Sequence, residues 1–341
     1  MGNYQQYKLQ IELTSSIITP FQSDTIFGHI CWAIHQLDWG AVNDKLQQFL
    51  NAYDAKDTKP PLLVSDGFPE NHLPKPVLPS VSQEELDKKV PVKKRIDESY
   101  RIKSLKKLKY VTRDDFEKLQ QKEINSSNLF DILYNSSTEK YDETAFGLPF
   151  VVQHNTIDRI ADKVTEGLYS ETENFFSTEN NKYEIYISAT DFFTKVDLER
   201  IFEYISLQGF GKNKSTGKGA FNILDISEQV DLPKTKNPNG FITLSSYIPR
   251  KNDPAEGYYN TLLKFGKLGG TFATGSLKVG KNPFKKPLIM MCAGSIFKDN
   301  EYYEGKIYGS LLQNIHKNTD IRHYAHAFPL GIRIGGPNGN N

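Results

Sequence analysis

The chain has 341 residues, 38% of them hydrophobic and 24% charged, with a formal net charge of +1; that length suits about two domains. So balanced a charge excludes a global basic field, and any polyanion site must come from local clustering. Cys31 and Cys292 stand far apart in apolar surroundings, Met1 to Gln10 lacks an apolar signal region, and Pro287 to Ala293 is too short to span a bilayer, so a soluble cytoplasmic protein with buried thiols and no membrane partner is expected.

Tyr7 to Leu13 alternates apolar and polar residues, which predicts a half-buried strand. Ser23-Asp24-Thr25 offers an N-cap before Ile26, Phe27, Ile30, Ala33, Ile34 and Leu37, the spacing of an amphipathic helix. A second helix is expected through Lys45, Leu46, Phe49 and Leu50, then a short strand from Pro60 to Val64. Pro69, Pro74, Pro76 and Pro79 forbid helix over 66–80 and favour extended loop. Residues 88–113 hold eleven Lys and Arg side chains, offset only by Asp97 and Glu98. They read either as a solvated face or as a phosphate-contacting surface. A short helix follows from Asp114 to Leu119.

Residues 120–182 are polar and read as an insertion with loops and one hairpin, whose strand segments are Thr156 to Ile160 and Leu168 to Ser170 near Gly167. Tyr183 to Ile187 alternates as a strand. Leu198, Ile201, Phe202, Ile205 and Leu207 mark a helix ending at Gly209, and Ala220 to Ile226 reads as the next strand. A linker is expected at 229–240. Beyond it Gly240 to Ile248, Ser295 to Phe297 and Phe328 to Ile334 read as strands, with apolar Leu262, Leu263 and Phe265, apolar Leu288 to Met291, and Lys306 to Gly309 between them. The Gly- and Asn-rich tail, 335–341, is expected to be disordered.

The first half thus runs strand, helix, strand, insertion, strand, helix, strand, the ferredoxin-like βαββαβ pattern. The expected fold is α+β: a ferredoxin-like domain over 1–228, with its insertion at 120–182, and a degenerate second copy over 240–334. Such a fold offers an open sheet face for single-stranded RNA.

The most distinctive stretch is Gly209-Phe210-Gly211-Lys212-Asn213-Lys214-Ser215-Thr216-Gly217-Lys218-Gly219. Glycine lets a backbone approach a ligand and aim N–H groups at it, while lysine and hydroxyls suit phosphate. A P-loop reads G-x-x-x-x-G-K-[ST]; here five residues separate Gly211 from Gly217, and Gly219 takes the hydroxyl's place. The dinucleotide fingerprint fails at Lys214. Both motifs also need a strand before the loop and a helix after it, the reverse of this order. What stays open is a polyanion-holding loop or a solvated linker. A second glycine-rich loop spans Gly266, Lys267 and Leu268 to Thr271, and Arg250 and Lys251 are further cationic candidates.

No H-E-x-x-H, zinc-spaced Cys/His cluster or G-x-S-x-G occurs. His323 and His326 have an i,i+3 spacing without evident carboxylate ligands, so packing or RNA contact is weighed against metal binding. His29 reads as a hydrogen-bonder or nucleotide contact, or as a general base for RNA cleavage. Phe21, Phe210, Tyr258 and Tyr259 flank loops and are candidate base stackers.

The glycine loop after the second helix resembles the mark of the RAMP superfamily of CRISPR-associated proteins. Several stretches are similar to one branch, the Csm-complex subunit that caps the 5′ end of the CRISPR RNA in type III-A effectors. These are Phe21 to Gly28, Ser65 to Pro69, Leu73 to Pro76, Gly167 to Ser170, Phe265 to Gly270 and Ala327 to Gly331, in order along nearly the whole chain. The resemblance implies a non-catalytic scaffold without cofactor or metal. Its implied partners are the CRISPR RNA 5′ tag, the large polymerase-like subunit, the backbone filament and, indirectly, target RNA. It implies that Ser23, Asp24, Thr25 and His29 lie near the tag, and that the basic stretch Arg95 to Lys109 lines the RNA path or the large-subunit contact. It makes Arg159, Leu168 and Tyr169 candidates for a thumb hairpin between guide and target. The rival reading is an endoribonuclease of the same superfamily that processes repeat RNA with His29 as base.

Overall fold

A computed structural model describes residues 4–336 except 41–43, 56–57, 137–146, 159–162 and 275–281. Period-two burial shapes strand β1 (Gln5–Leu13): Tyr7, Leu9, Ile11 and Leu13 point into the core, and Lys8, Gln10 and Glu12 take the other face. Helix α1 (Ser23–Gln36) buries Ile26, Phe27, Ile30, Ala33 and Ile34 at helical spacing. Ser23 is inside this helix, where a cap was expected; Gln22 is the N-cap and makes no side-chain cap. The first free N–H finds a tertiary acceptor instead, because Ser23 donates to Asp66 Oδ1 at 2.8 Å.

Helix α2 (Lys45–Ala52) precedes β2 (Leu62–Pro69) and β3 (His72–Pro74). The prolines over 66–80 exclude helix as expected, yet Pro69 and Pro74 close strands where loop was expected, at ends that need no further N–H. The basic stretch is helical in α3 (Gln83–Lys89) and α4 (Val92–Lys107), followed by β4 (Tyr110–Thr112). The insertion contains more regular structure than its composition suggested. It holds the end of α5 (Arg113–Lys122), all of α6 (Ser126–Asn135), and a long hairpin of β5 (Leu148–Asp158) and β6 (Lys163–Phe175). Gly167 lies within β6, away from the turn between the strands. Arg159 lies outside the described residues. Strand β7 (Lys182–Ala189), helix α7 (Lys195–Gln208), capped by a Thr194–Asp197 capping box, and strand β8 (Phe221–Ser227) complete the first half.

The first sheet has the order β2-β7-β1-β8, antiparallel throughout. Helices α1 and α7 pack on one face, where Ile30, Ile201 and Phe202 meet Leu9, Ile11 and Ile187. The expected open face is largely closed. On β2 and β7, Leu63, Phe68 and Tyr186 enter a second core with Leu105 of α4, Phe116 of α5 and Ile242. The rest of that face, on β1 and β8, carries Gln10 and Glu12 opposite Asp225 and Asn222. Lys8 on this face is held by Asp231 at 3.1 Å, which leaves two carboxylates and no aromatic ring, a poor RNA platform.

The second half holds β9 (Gly240–Thr243), β10 (Gly257–Tyr258), β11 (Thr261–Lys264), β12 (Leu288–Met291), β13 (Ile296–Lys298), β14 (Gly309–Leu312), β15 (His323–His326) and β16 (Pro329–Ile332). They form an antiparallel sheet, β10-β13-β9-β16, and two ribbons, β11-β12 and β14-β15. No α-helix occurs among its described residues, so the helical layer of a second βαββαβ copy is missing from them. Strand β9 stops early because Thr243 Oγ1 accepts the Ser245 N–H at 3.2 Å, bending the chain. His323 and His326 belong to a buried strand, and no group of three or more His, Cys, Asp or Glu among the described residues is placed to hold a metal. Both cores draw side chains from either side of 229–240. No helix among the described residues is long and apolar enough to cross a membrane.

Candidate nucleic-acid interface

The glycine loop at 209–219 folds back on itself under close contacts. Gly219 has φ +67°, and a Cβ there would meet the Phe210 carbonyl oxygen at 2.0 Å; at Gly211, with φ +76°, it would meet Thr19 Cβ at 2.6 Å. Two of the glycines therefore serve the loop's own packing. Phe210 is buried, stacked 4.4 Å from Phe21 and 4.6 Å from His29 between ring centroids. Phe21 and Phe210 are core residues, with no ring face left for a base.

Most of the loop's N–H groups have internal acceptors. Phe210 donates to Gly219 O, Gly211 to His29 Nε2 at 3.0 Å, Lys212 to Thr19 Oγ1 at 3.0 Å, and Gly219 to Ser16 O. Thr216, Gly217 and Lys218 donate to carbonyls of Asn213 and Lys214. The N–H groups of Asn213, Lys214 and Ser215 have no acceptor among the described residues. The lysines are mostly engaged too. Lys212 pairs with Glu171 of β6, which also accepts from Asn213 at 2.6 Å. Lys218 pairs at 2.6 Å with the fully buried Glu173, which Ser16 also reaches at 2.7 Å. Two of the three expected phosphate grips thus clamp the hairpin. Lys214 has no carboxylate within ion-pair distance among the described residues, and burial lowers its pKa.

Helix α1 runs beside this loop. Ser23 is fully buried, its N–H and hydroxyl directed to Asp66 and to Ser246 O. Asp66 also accepts from Ser246 N at 3.1 Å and Ser246 Oγ at 3.0 Å, although burial pushes its pKa up. Ser23 therefore joins the two halves of the chain. Asp24 and Thr25 accept from Lys264 of β11 at 2.9 and 3.2 Å. His29 is pushed down to about 4, chiefly by burial and then by Lys214. At Gly28 a Cβ would meet nothing within 4 Å, so the helix backbone there faces open space.

One turn on, Trp32 carries the second glycine loop. A Cβ on Gly270 (φ +57°) would lie 2.6 Å from its ring, and one on Gly269 3.1 Å from Nε1. Gly266 packs on Lys285, and Lys267 is exposed with Nζ 6.0 Å from the Phe284 ring. Thr25, Gly28 and Trp32 thus form an i, i+3, i+7 stripe along α1, walled by one glycine loop through His29 and the other through Trp32 and Lys264. This groove was only partly visible in the sequence. His29 and both loops were expected there; Thr19, Gly28, Trp32, Lys264 and the two glutamates were missed, although a glycine inside a helical pattern hints at close backbone approach.

Other candidates lie apart. Arg250 is held by Asp253 at 3.1 Å, and Lys251 beside it is exposed. Leu168 and Tyr169 project from β6 at 74% and 45% exposure, Tyr169 stacked on His154. Tyr258 and Tyr259 are half-exposed, Tyr259 stacked on Phe297. Buried His323 lies 3.9 Å from Asp24 and faces Met290 Sδ at 3.4 Å.

No family model matches the chain, and no curated protein matches it. Solved structures do. Similar chains occur in the Csm1–Csm4 cassette with cA4 (16% identity, 97% of this chain and 99% of that one, TM-score 0.55) and with AMPPNP (15%, 97% and 99%, 0.56). Another lies in the Csm3–Csm4 subcomplex of the type III-A CRISPR-Cas interference complex (15%, 96% and 99%, 0.55). The chain shares the fold of these Csm-assembly chains over nearly its whole length.

Proposed function

We propose that this chain is a non-catalytic RAMP-type subunit of a type III-A CRISPR effector, which grips the 5′ tag of the CRISPR RNA in the groove along α1. The observation that carries the reading is the pair of glycine loops flanking one helix face at a residue without a side chain. A strand laid there reaches the α1 backbone at Gly28, the free N–H groups of Asn213 to Ser215, and Lys214 and Lys267. The order β2-β7-β1-β8, with both helices on one face, supports the ferredoxin-like assignment of the first half. The hairpin β5–β6, with Leu168 and Tyr169 exposed, suits a thumb that parts guide from target. Csm4 is common to the Csm1–Csm4 and Csm3–Csm4 structures, which supports a role linking the large subunit to the backbone filament.

The geometry at His29 favours binding over cleavage. A general base needs a free lone pair, and the Nε2 lone pair already accepts the Gly211 N–H. The test is RNA affinity for tag-bearing against scrambled oligonucleotides, with sequencing of RNA that co-purifies. Gly28→Glu has room for its side chain and places a carboxylate in the groove. It should lose tag binding about tenfold or more, as a few phosphate contacts are repelled. Equal affinity of the wild type for both oligonucleotides, unchanged affinity of Gly28→Glu, or His29-dependent cleavage of repeat RNA would each overturn the proposal.

A further inference from the structure

We infer that α4 carries a second RNA-binding surface, in which Lys103, Lys106, Lys107 and Lys109 track the backbone of a single strand and Tyr100 stacks on a base. The helix is amphipathic in an unusual way. Ile102 and Leu105 are buried, Leu108 just beyond its end joins the same core, and Arg101 turns inward to donate to Tyr134 O and Ser136 O. The outward side shows Tyr100, 84% exposed, with Lys103, Lys106 and Lys107, and Lys109 just past the helix end. None of these four lysines has a carboxylate within ion-pair distance among the described residues. Lysines on nearby elements do pair: Lys89 with Asp131 at 2.5 Å and Lys118 with Asp115 at 2.7 Å.

A helix end attracts lysines on its own account, because its last carbonyls are negative. Here that need is met by another residue. Lys75 reaches in from outside the helix and donates to Leu105 O at 3.1 Å and Lys106 O at 2.9 Å. The outward lysines are left as a free field in a chain of net charge +1. Lys103 to Lys107 spans about 6 Å of helix axis. Closely spaced cations beside an exposed ring form the pairing of charge and stacking platform that single strands use. An acidic protein surface would satisfy the lysines but gives the ring no such role.

The surface is separate from the groove. Helix α4 contributes to the second core and α1 to the first, so the two lie on opposite sides of the first sheet. The inference does not depend on the groove reading. The full-length protein is titrated with a labelled single-stranded RNA of mixed sequence across a salt series, as wild type, Tyr100→Ala, and the triple variant Lys103→Gln, Lys106→Gln, Lys107→Gln, with Gly28→Glu in parallel. The triple variant should lower the slope of log K against log salt by about 2, from three contacts at roughly 0.7 each. Tyr100→Ala should weaken binding about fivefold or more, the low end of one base-on-ring stack. Photo-crosslinking of wild-type protein should mark the peptide containing Tyr100, a readout that needs no variant. Gly28→Glu should leave that crosslink in place, whatever it does to tag binding. Wild-type RNA binding by both α4 variants, or no crosslink at Tyr100, overturns the inference. So does a triple variant that loses only an acidic protein partner.

Discussion

Acid should release the first glycine loop from α1, and His29 is the trigger. Its Nε2 accepts the Gly211 N–H at 3.0 Å, and burial holds its pKa near 4, below the ordinary 6.5. Protonation turns Nε2 into a donor facing another donor, so the contact is lost. The unfolded chain takes up this proton near pH 6.5 and the folded chain only near pH 4. The stability from a neutral His29 is therefore fully present above pH 6.5 and disappears as the pH falls towards 4. By pH 5 the loss amounts to about 2 kcal/mol, trimmed somewhat because the ring is only partly buried. His323 and His326 are likewise held low by burial, at about 4 and about 3, and add acid sensitivity of their own. A subtraction isolates His29. Urea unfolding is measured between pH 7.5 and 5 for the wild type and for His29→Asn, which keeps a polar side chain but does not titrate. The wild-type advantage over the variant should shrink by about 2 kcal/mol across that range. A difference that stays constant with pH would refute the reasoning, as would a Gly211 amide equally protected from exchange at pH 7 and pH 5.

Lys75 should add a second rise of stability with pH, on the alkaline side. Burial lowers its pKa from 10.5 to about 8, so the folded state sheds this proton first and stability rises from about pH 8 towards 10.5. Lys75→Met should flatten that rise, read by urea midpoints, although Lys214 and Lys285, also lowered by burial, keep part of it. Replacing both Glu171 and Glu173 by Gln should free Lys212 and Lys218. Hydrogen exchange in β6 should quicken, and the salt slope for RNA should steepen by about 1.4 if both lysines then meet phosphate. An unchanged slope with quickened exchange would show that those lysines serve the hairpin alone.

Elements with a strong period were legible in the sequence, because burial on one face leaves a pattern of two or of 3.6. β1, α1 and α7 stand close to where Tyr7 to Leu13, Ile26 to Leu37 and Leu198 to Leu207 placed them. Helix α4 was hidden because few apolar side chains anchor it among its lysines. The glycine loop was legible as a loop, but its partners were not. Glu171 and Glu173 lie 42 and 45 residues before Asn213 and Lys218, at a separation where only the folded chain pairs them. The open sheet face failed as an expectation for a similar reason. Nothing local in Leu63 or Tyr186 says that α4, α5 and the second half of the chain will cover them.

The covered sheet acts as a bulkhead. One core insulates the α1 groove on its side, and the other insulates α4 on its own. Residues held apart by a sheet change stability almost independently when they do not touch. Substitutions on either flank can therefore accumulate while the opposite flank keeps its own packing. A chain built this way can change one face without re-solving the packing of the other.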